Sequence, residues 1–237
     1  MERIKKPALP PVIRPSYDAV AAGPRQVARY AGGGDYRAGS PVERAIADVM
    51  DRARHLAAPA VAQALHAVSD LSEDGCLRLE NGLSLETPSR EREPAARWLA
   101  AVVCTVGPSL EEACRELAAG GDVLTSALLD AAGVAVMENL ADLAYEEISR
   151  HAGRRGLSAG CRFAPGCGEM PVSTQEVLFR LVDAGSIGVR LNRSMVMQPG
   201  KTLSFFVILS TGMNPGRKAY KCQACTLKDC RFRTVER

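Results

Sequence analysis

Two short stretches of this sequence carry residues whose types and spacing suit chemistry. The first is Cys161-Arg-Phe-Ala-Pro-Gly-Cys-Gly-Glu-Met-Pro171. Pro165 and Pro171 fix φ there, while Gly166 and Gly168 admit backbone geometry closed to other residues. Such a loop can hold backbone amides, the Arg162 guanidinium and the thiols of Cys161 and Cys167 close together. Taken alone, it reads as an ordinary turn between two helices. The second stretch is Cys222-Gln-Ala-Cys225-Thr-Leu-Lys-Asp-Cys230. A Cys-x-x-Cys pair can set two thiolates on one metal from a tight turn, and a third thiolate five residues later can join them. This spacing favours a metal or a cluster over free thiols, and it admits iron–sulfur and zinc alike. A closed site needs a fourth ligand. His55, His66 and His151 are remote in sequence, which leaves Cys167 or Cys161 as the economical choice.

The rest of the chain must position these groups. Its 237 residues suffice for one large domain or two small ones, and 46% apolar with 24% charged residues can bury an ordinary core. A net charge of +3 and 5% aromatics, with no interleaved basic and aromatic run, give no case for nucleic acid. The start, Met1-Glu-Arg-Ile-Lys-Lys-Pro7, lacks an apolar leader core. The longest strongly apolar stretch, Leu203 to Leu209, is too short to span a bilayer. The expectation is a cytoplasmic protein with no membrane partner, in which eight cysteines point to metal, cluster or reactive thiols rather than disulfides.

Residues 1–39 are rich in proline and glycine and read as an extended N-terminal arm with a short helix near Pro24–Ala31. Residues 40–121 read as a helical and hairpin part. Ser40-Pro-Val-Glu43 starts a helix that Pro59 ends or kinks, and a second short helix runs to about Val68. Alternation about Asn81-Gly82 predicts a hairpin. Trp98 to Val106 reads as a buried strand or the end of a helix beginning near Pro94, and Ser109 caps another helix. Cys76, Cys104 and Cys114 are read as structural. From Asp122 to about His151 the pattern is one long helix. Gly133 within it costs about 1 kcal/mol against alanine and points to close packing. Glu138 and Asp142 share a face of it and read as a solvated stripe. Ser173-Thr-Gln-Glu176 is a capping box opening a helix to Asp183. Ile187–Asn192, Met195–Met197 and Thr202–Leu209 read as strands, with a turn at Gln198-Pro-Gly200. No glycine-rich dinucleotide or P-loop motif is present. The class expected is α+β, with long helices on a twisted antiparallel sheet.

The order Arg162-Phe-Ala-Pro-Gly-Cys-Gly-Glu-Met-Pro171, a helix with Leu178-Phe179-Arg180-Leu181, Ile187-Gly-Val-Arg-Leu191 and Ser194-Met-Val-Met-Gln-Pro-Gly200 resembles the activation domain of cobalamin-dependent methionine synthase. That family shows an Arg-Pro-Ala-Pro-Gly-Tyr loop, a helix ending in a Leu-Leu type pair, a glycine-containing strand and a Ser-Phe-x-Met-Trp-Pro segment. The resemblance covers about Asp122 to Ser210, so that residues 122–215 read as an activation-domain-like core and 216–237 as a cysteine-cluster tail. It implies a site for S-adenosylmethionine, with Arg162 on the methionine carboxylate and the backbone at Ala164 and Gly166 lining the ligand. Tyr220 falls loosely where the family has a ligand-contacting tyrosine pair. Cys167 stands where the family has tyrosine. That departure suggests an iron–sulfur cluster on Cys167, Cys222, Cys225 and Cys230, with structural zinc as the rival.

No corrinoid-binding Asp-x-His-x-x-Gly segment is found, and the chain is too short for the synthase's other modules. The resemblance therefore implies a free-standing activation protein. It would support reductive methylation of cobalamin on a separate corrinoid-binding protein, with an electron donor such as flavodoxin or ferredoxin. Methyl transfer to reduced cobalt needs positioning rather than a general acid or base. The basic rim Arg217, Lys218, Lys221, Lys228, Arg231, Arg233 and Arg237 could steer an acidic carrier or the corrinoid protein. Two other classes stay open: an iron–sulfur redox protein that reduces a corrinoid protein without S-adenosylmethionine, and a zinc-stapled scaffold that binds one.

Overall fold

A computed structural model describes residues 9–33, 39–93 and 95–211. In chain order its strands and helices are β1 (Val12–Ile13), α1 (Pro24–Gly32), α2 (Ser40–Leu56), β2 (Ala60–Leu71), β3 (Cys76–Leu79), β4 (Ser84–Glu86), β5 (Ala96–Thr105), α3 (Ser109–Ala119), α4 (Val123–Gly153), β6 (Ser158–Ala159), α5 (Thr174–Leu181), β7 (Arg190–Leu191), β8 (Met197–Gln198) and β9 (Thr202–Ser210). The main sheet has the order β4-β3-β2-β5-β9-β6, and β1 pairs with β2. All its pairings are antiparallel. β7 and β8 form a separate small hairpin.

Successive side chains of a strand face opposite ways, and here both faces are covered. Val61, Leu65, Ala100, Val102, Cys104, Phe205, Val207 and Leu209 enter one core with the four helices α1 to α4. Ala62, Leu99, Ala101, Val103, Phe206 and Ile208 enter a second core, closed by Leu77 and Leu85 of the β3–β4 hairpin, Leu178 of α5 and Met170 of the loop before it. Burying one such leucine or phenylalanine stabilises by roughly 1.5–3 kcal/mol. The two-sided burial explains why the central strands read as nearly unbroken apolar runs.

The α+β class stands, as do the hairpin at Asn81-Gly82, the strand at Trp98–Val106 and the long helix capped at Asp122, whose carboxylate accepts from the Thr125 amide at 3.1 Å. Five local expectations are corrected. Residues 60–68 are strand, not helix. Their alanines favour helix only weakly, and pairing with β5 on one side and β1 and β3 on the other overrides that preference. α2 is capped by Gly39 rather than Ser40. The capping box at Ser173 does not form, because Ser173 already has helical backbone angles and its side chain makes no cap bond. Ile187–Asn192 is mostly a tight turn: a short 3-10 helix over Ala184–Ile187 ends at Gly188 in the left-handed region, leaving only Arg190–Leu191 as strand. Met195 lies at the hairpin tip with φ 61°, and the strand beyond it is Met197–Gln198.

Among the described residues one helix, α4, is long and apolar enough to cross a membrane by length and composition. It is instead the spine of the first core, with Leu129, Ala132, Ala135, Val136, Leu140, Ala144 and Ile148 buried between the sheet and α1 to α3. Gly133 sits where a Cβ would lie 2.7 Å from Leu110 Cδ2, which is the close packing its presence suggested.

Candidate functional site

The arginine loop leaves α4 through β6 and is fastened at once to the edge of β9. The Gly160 amide donates to Ile208 O at 2.8 Å, Phe163 and Phe206 exchange two backbone bonds, and the Tyr145 hydroxyl donates to Gly160 O at 3.0 Å. Arg162 thus stands on a rigid edge rather than a free loop. Beyond it the chain turns tightly. The Cys167 amide donates to Ala164 O, and the Gly166 amide to Met170 O at 3.0 Å. Gly166 and Gly168 take φ of 79° and 61°, a region that residues with a Cβ avoid. Met170 is buried in the second core. Glu169 accepts from the Ser89 amide and hydroxyl at 2.7 and 2.8 Å, tying the loop to the segment before β5.

The Arg162 side chain is 18% exposed. Its Nη2 lies 2.9 Å from Asp142 Oδ1 and 3.9 Å from Glu138 Oε2, and its guanidinium carbon lies 5.5 Å from the Phe205 ring centroid. Nη1 is buried and has no hydrogen-bond partner. Glu138 and Asp142 are therefore more than a solvated stripe: Asp142 stays exposed, but both carboxylates face Arg162 as its anionic partners. Burial pushes the Glu138 carboxyl above its usual range, Asp142 adds to that, and Arg162 and then Arg29 oppose it. Burial likewise raises the Cys104 thiol beneath Arg162.

The N-terminal arm completes one wall. Asn139, next to Glu138 on α4, donates to the carbonyls of Val20 and Ala21 at 3.2 and 3.0 Å and accepts from Gln26 Nε2 at 2.9 Å. Gln26 Oε1 in turn takes the Gly23 amide, which starts α1. This clamp lays α1 across α4 and brings Arg29 and Tyr30 to the acidic pair, with the Arg29 guanidinium 4.5 Å from the Tyr30 ring centroid. The Tyr30 phenol is raised, first by burial and then by the charge of Glu138.

Of the residues singled out from sequence, Arg162, Ala164, Gly166 and Cys167 share this loop. Ala164 packs against the first core, and Cys167 is an exposed free thiol. Tyr220, Cys222, Cys225 and Cys230 lie outside the described residues. Among the described residues no group of three or more His, Cys, Asp or Glu is placed to hold a metal. Sequence reasoning missed Arg29, Tyr30 and the role of Glu138 and Asp142. The one available signal was the acidic pair four residues apart on a helix otherwise dominated by its apolar face.

No family model matches the chain, and neither does any curated protein. Among solved structures, a crystal structure of the MetH reactivation domain bound to AdoHcy matches it with a TM-score of 0.66 at 15% sequence identity, over 86% of this chain and 79% of that one. The protein has the fold of a methionine synthase reactivation domain, with helices packed on a curled antiparallel sheet.

Proposed function

We propose that this chain binds S-adenosylmethionine at Arg162 and reactivates a separate corrinoid protein by presenting the sulfonium methyl to its cobalt. The observation that carries this reading is the buried Arg162 Nη1, a charged donor without an acceptor beside a donor already engaged by Asp142. A buried donor left unpaired is costly, and an incoming carboxylate relieves that with a charge-assisted bond. Glu138 and Asp142 supply the sign that attracts the ligand's ammonium and sulfonium. The backbone at Ala164 and Gly166, with no bulky side chain, lets the ligand approach the loop, and Tyr220 would contact it from the tail. The fold agrees with this, since the matching reactivation domain was crystallised with AdoHcy.

Cobalamin would be held by the partner and, when reduced, would supply the nucleophile that takes the methyl. The S–CH3 electron pair would stay on sulfur, which leaves as a neutral thioether. This chain's residues bind and orient; none has to move a proton. An electron donor such as flavodoxin or ferredoxin, and a cytoplasmic setting, go with this reading.

The test is calorimetric titration of anaerobically purified protein with S-adenosylmethionine, alongside Arg162→Ala. Saturable binding that the substitution weakens is expected. Absence of binding by folded protein with its metal content intact overturns the reading.

The exposed Cys167 thiol favours a second element, an iron–sulfur cluster shared with Cys222, Cys225 and Cys230, zinc being the rival. Metal and sulfide analysis with an anaerobic visible spectrum separates the two. A Cys167→Ser protein that keeps its full iron and sulfide removes Cys167 as a ligand.

A further inference from the structure

We propose that Arg29 decides how strongly the site prefers a sulfonium over a thioether, and that the Gln26–Asn139 clamp keeps it in position to do so. This rests on the reading above and adds a specificity-determining residue that the arginine loop does not supply.

Gln26, Arg29 and Tyr30 stand at i, i+3 and i+4 of α1 and so share a face. On that face Gln26 meets Asn139, the chain neighbour of Glu138. Every polar side-chain atom of the two amides is used. Gln26 Oε1 takes the Gly23 amide, Gln26 Nε2 donates to Asn139 Oδ1, and Asn139 Nδ2 donates to the carbonyls of Val20 and Ala21. Val27 and Ala28 bury the opposite face of α1 in the first core. Arg29 is thereby held half-buried against the Tyr30 ring, one turn from the contact with α4. Its charge acts on the Glu138 carboxyl and on the Tyr30 phenol, in both cases opposing the carboxylates. Arg25, one turn earlier on the same helix, is exposed. A cation in the last turn of a helix also suits the helix dipole. A role confined to that would move stability and leave ligand preference alone.

The consequence follows from the charges. The carboxylates of Glu138 and Asp142 face the guanidinium groups of Arg162 and Arg29, so their charges nearly cancel. S-adenosylmethionine carries one net positive charge. S-adenosylhomocysteine, which remains after the methyl leaves, has a neutral thioether and carries none. The sulfonium is four bonds from the carboxylate carbon, within about 5 Å of it. A ligand whose carboxylate meets Arg162 therefore keeps its sulfonium in the field of these groups, wherever its remaining atoms lie. Without Arg29 the site would be negative and would hold the sulfonium harder than the thioether. That extra grip would favour the substrate and fade during transfer, because sulfur keeps the electron pair and loses its charge. Stabilising the ground state more than the transition state slows the step. Arg162 is the stronger of the two cations acting on Glu138, so the carboxylates keep their charge when Arg29 is removed.

The experiment is calorimetric titration of the full chain with S-adenosylmethionine and, separately, with S-adenosylhomocysteine, read as the ratio of the two affinities. Arg29→Met is expected to raise the ratio in favour of S-adenosylmethionine by about threefold or more, an effect that shrinks with added salt. Arg29→Lys keeps the charge and the wild-type ratio, and so does Arg25→Met. Gln26→Ala, which releases the clamp, is expected to raise the ratio as Arg29→Met does. An unchanged ratio in Arg29→Met, with Arg162→Ala still impaired, overturns this inference and leaves the carboxylate site standing. An equal rise in Arg25→Met, or one that persists in Arg29→Lys, also overturns it, since charge at Arg29 is then not the cause. A wild-type ratio in Gln26→Ala overturns the part given to the clamp. No binding by the wild type removes the functional reading and this inference together.

Discussion

Two cations reach α4 from the β9 side of the molecule, and they are held very differently. Lys201 meets Asp130, and its side chain is only 14% exposed. Its own turn is fixed on every side: the Gly200 amide donates to Glu111 Oε2 at 2.8 Å, and Lys201 O accepts from the Val106 amide and the Thr105 hydroxyl, both at 3.2 Å. Arg162 meets Asp142 about as closely as an ordinary ion pair does, yet one of its buried nitrogens has no acceptor. A compact ammonium with a near carboxylate and a fully tied turn is architecture. A planar guanidinium with one buried nitrogen unpaired keeps a donor in reserve, which is what the proposed carboxylate site requires. The same helix carries both, about three turns apart.

Substitutions can break this contrast. The largest effect belongs to Arg162→Ala, which should weaken S-adenosylmethionine by roughly 10- to 100-fold, the worth of a charge-assisted bond, while the melting temperature changes little because Asp142 is 58% exposed and stays hydrated. Next is Gly133→Leu at the Lys201 end. Its side chain would meet Leu110 head on, and overpacking of this kind costs about 1–3 kcal/mol. The melting temperature should drop by several degrees, while the protein that remains folded binds ligand as before. Lys201→Met should cost about 1 kcal/mol or less, since Asp130 is 54% exposed; equal losses of ligand affinity in Lys201→Met and Arg162→Ala would erase the distinction.

The smallest effect is one of pH. Burial, with Asp142 adding and Arg162 and Arg29 opposing, leaves the Glu138 carboxyl above its ordinary value. A raised carboxyl favours the folded state only while protonated. That contribution is complete below the ordinary carboxylate range and is lost as pH rises through the raised folded value. Glu138→Gln should therefore gain melting temperature relative to wild type as pH climbs from that range toward neutrality. An offset that is flat with pH would mean that Glu138 is ionised without penalty.

Periodicity and punctuation were enough to read most of the scaffold. The long helix, the Asn81-Gly82 hairpin and the central strands β5 and β9 depend on local patterns that burial then reinforces. Residues 60–68 were not legible. Their alanines carry no strand signal, and only pairing with β5, and with β1 from the distant arm, decides them. Arg162 was legible through its loop. Its partners were not, because nothing local distinguishes an acidic pair facing water from one facing a cation brought back by β6. Tyr30 and Arg29 reach the site through the Gln26–Asn139 clamp, a contact between residues 113 apart in the chain that no local pattern announces.

The register of β5 against β9 places Thr105 opposite Thr202, 97 residues later. Both strands sit in the middle of the sheet, and α3, α4 and the arginine loop are all threaded between them. Closing so long a loop is entropically slow and must precede any reward from the pairing. On a ribosome, which delivers about 5–20 residues per second, β5 waits several seconds for its partner with one apolar edge unpaired. The loop bearing Arg162 docks on β9 and so acquires its shape only after that strand arrives. Binding competence is in this sense among the last things the growing chain gains, and the waiting edge of β5 is where a chaperone has most to protect.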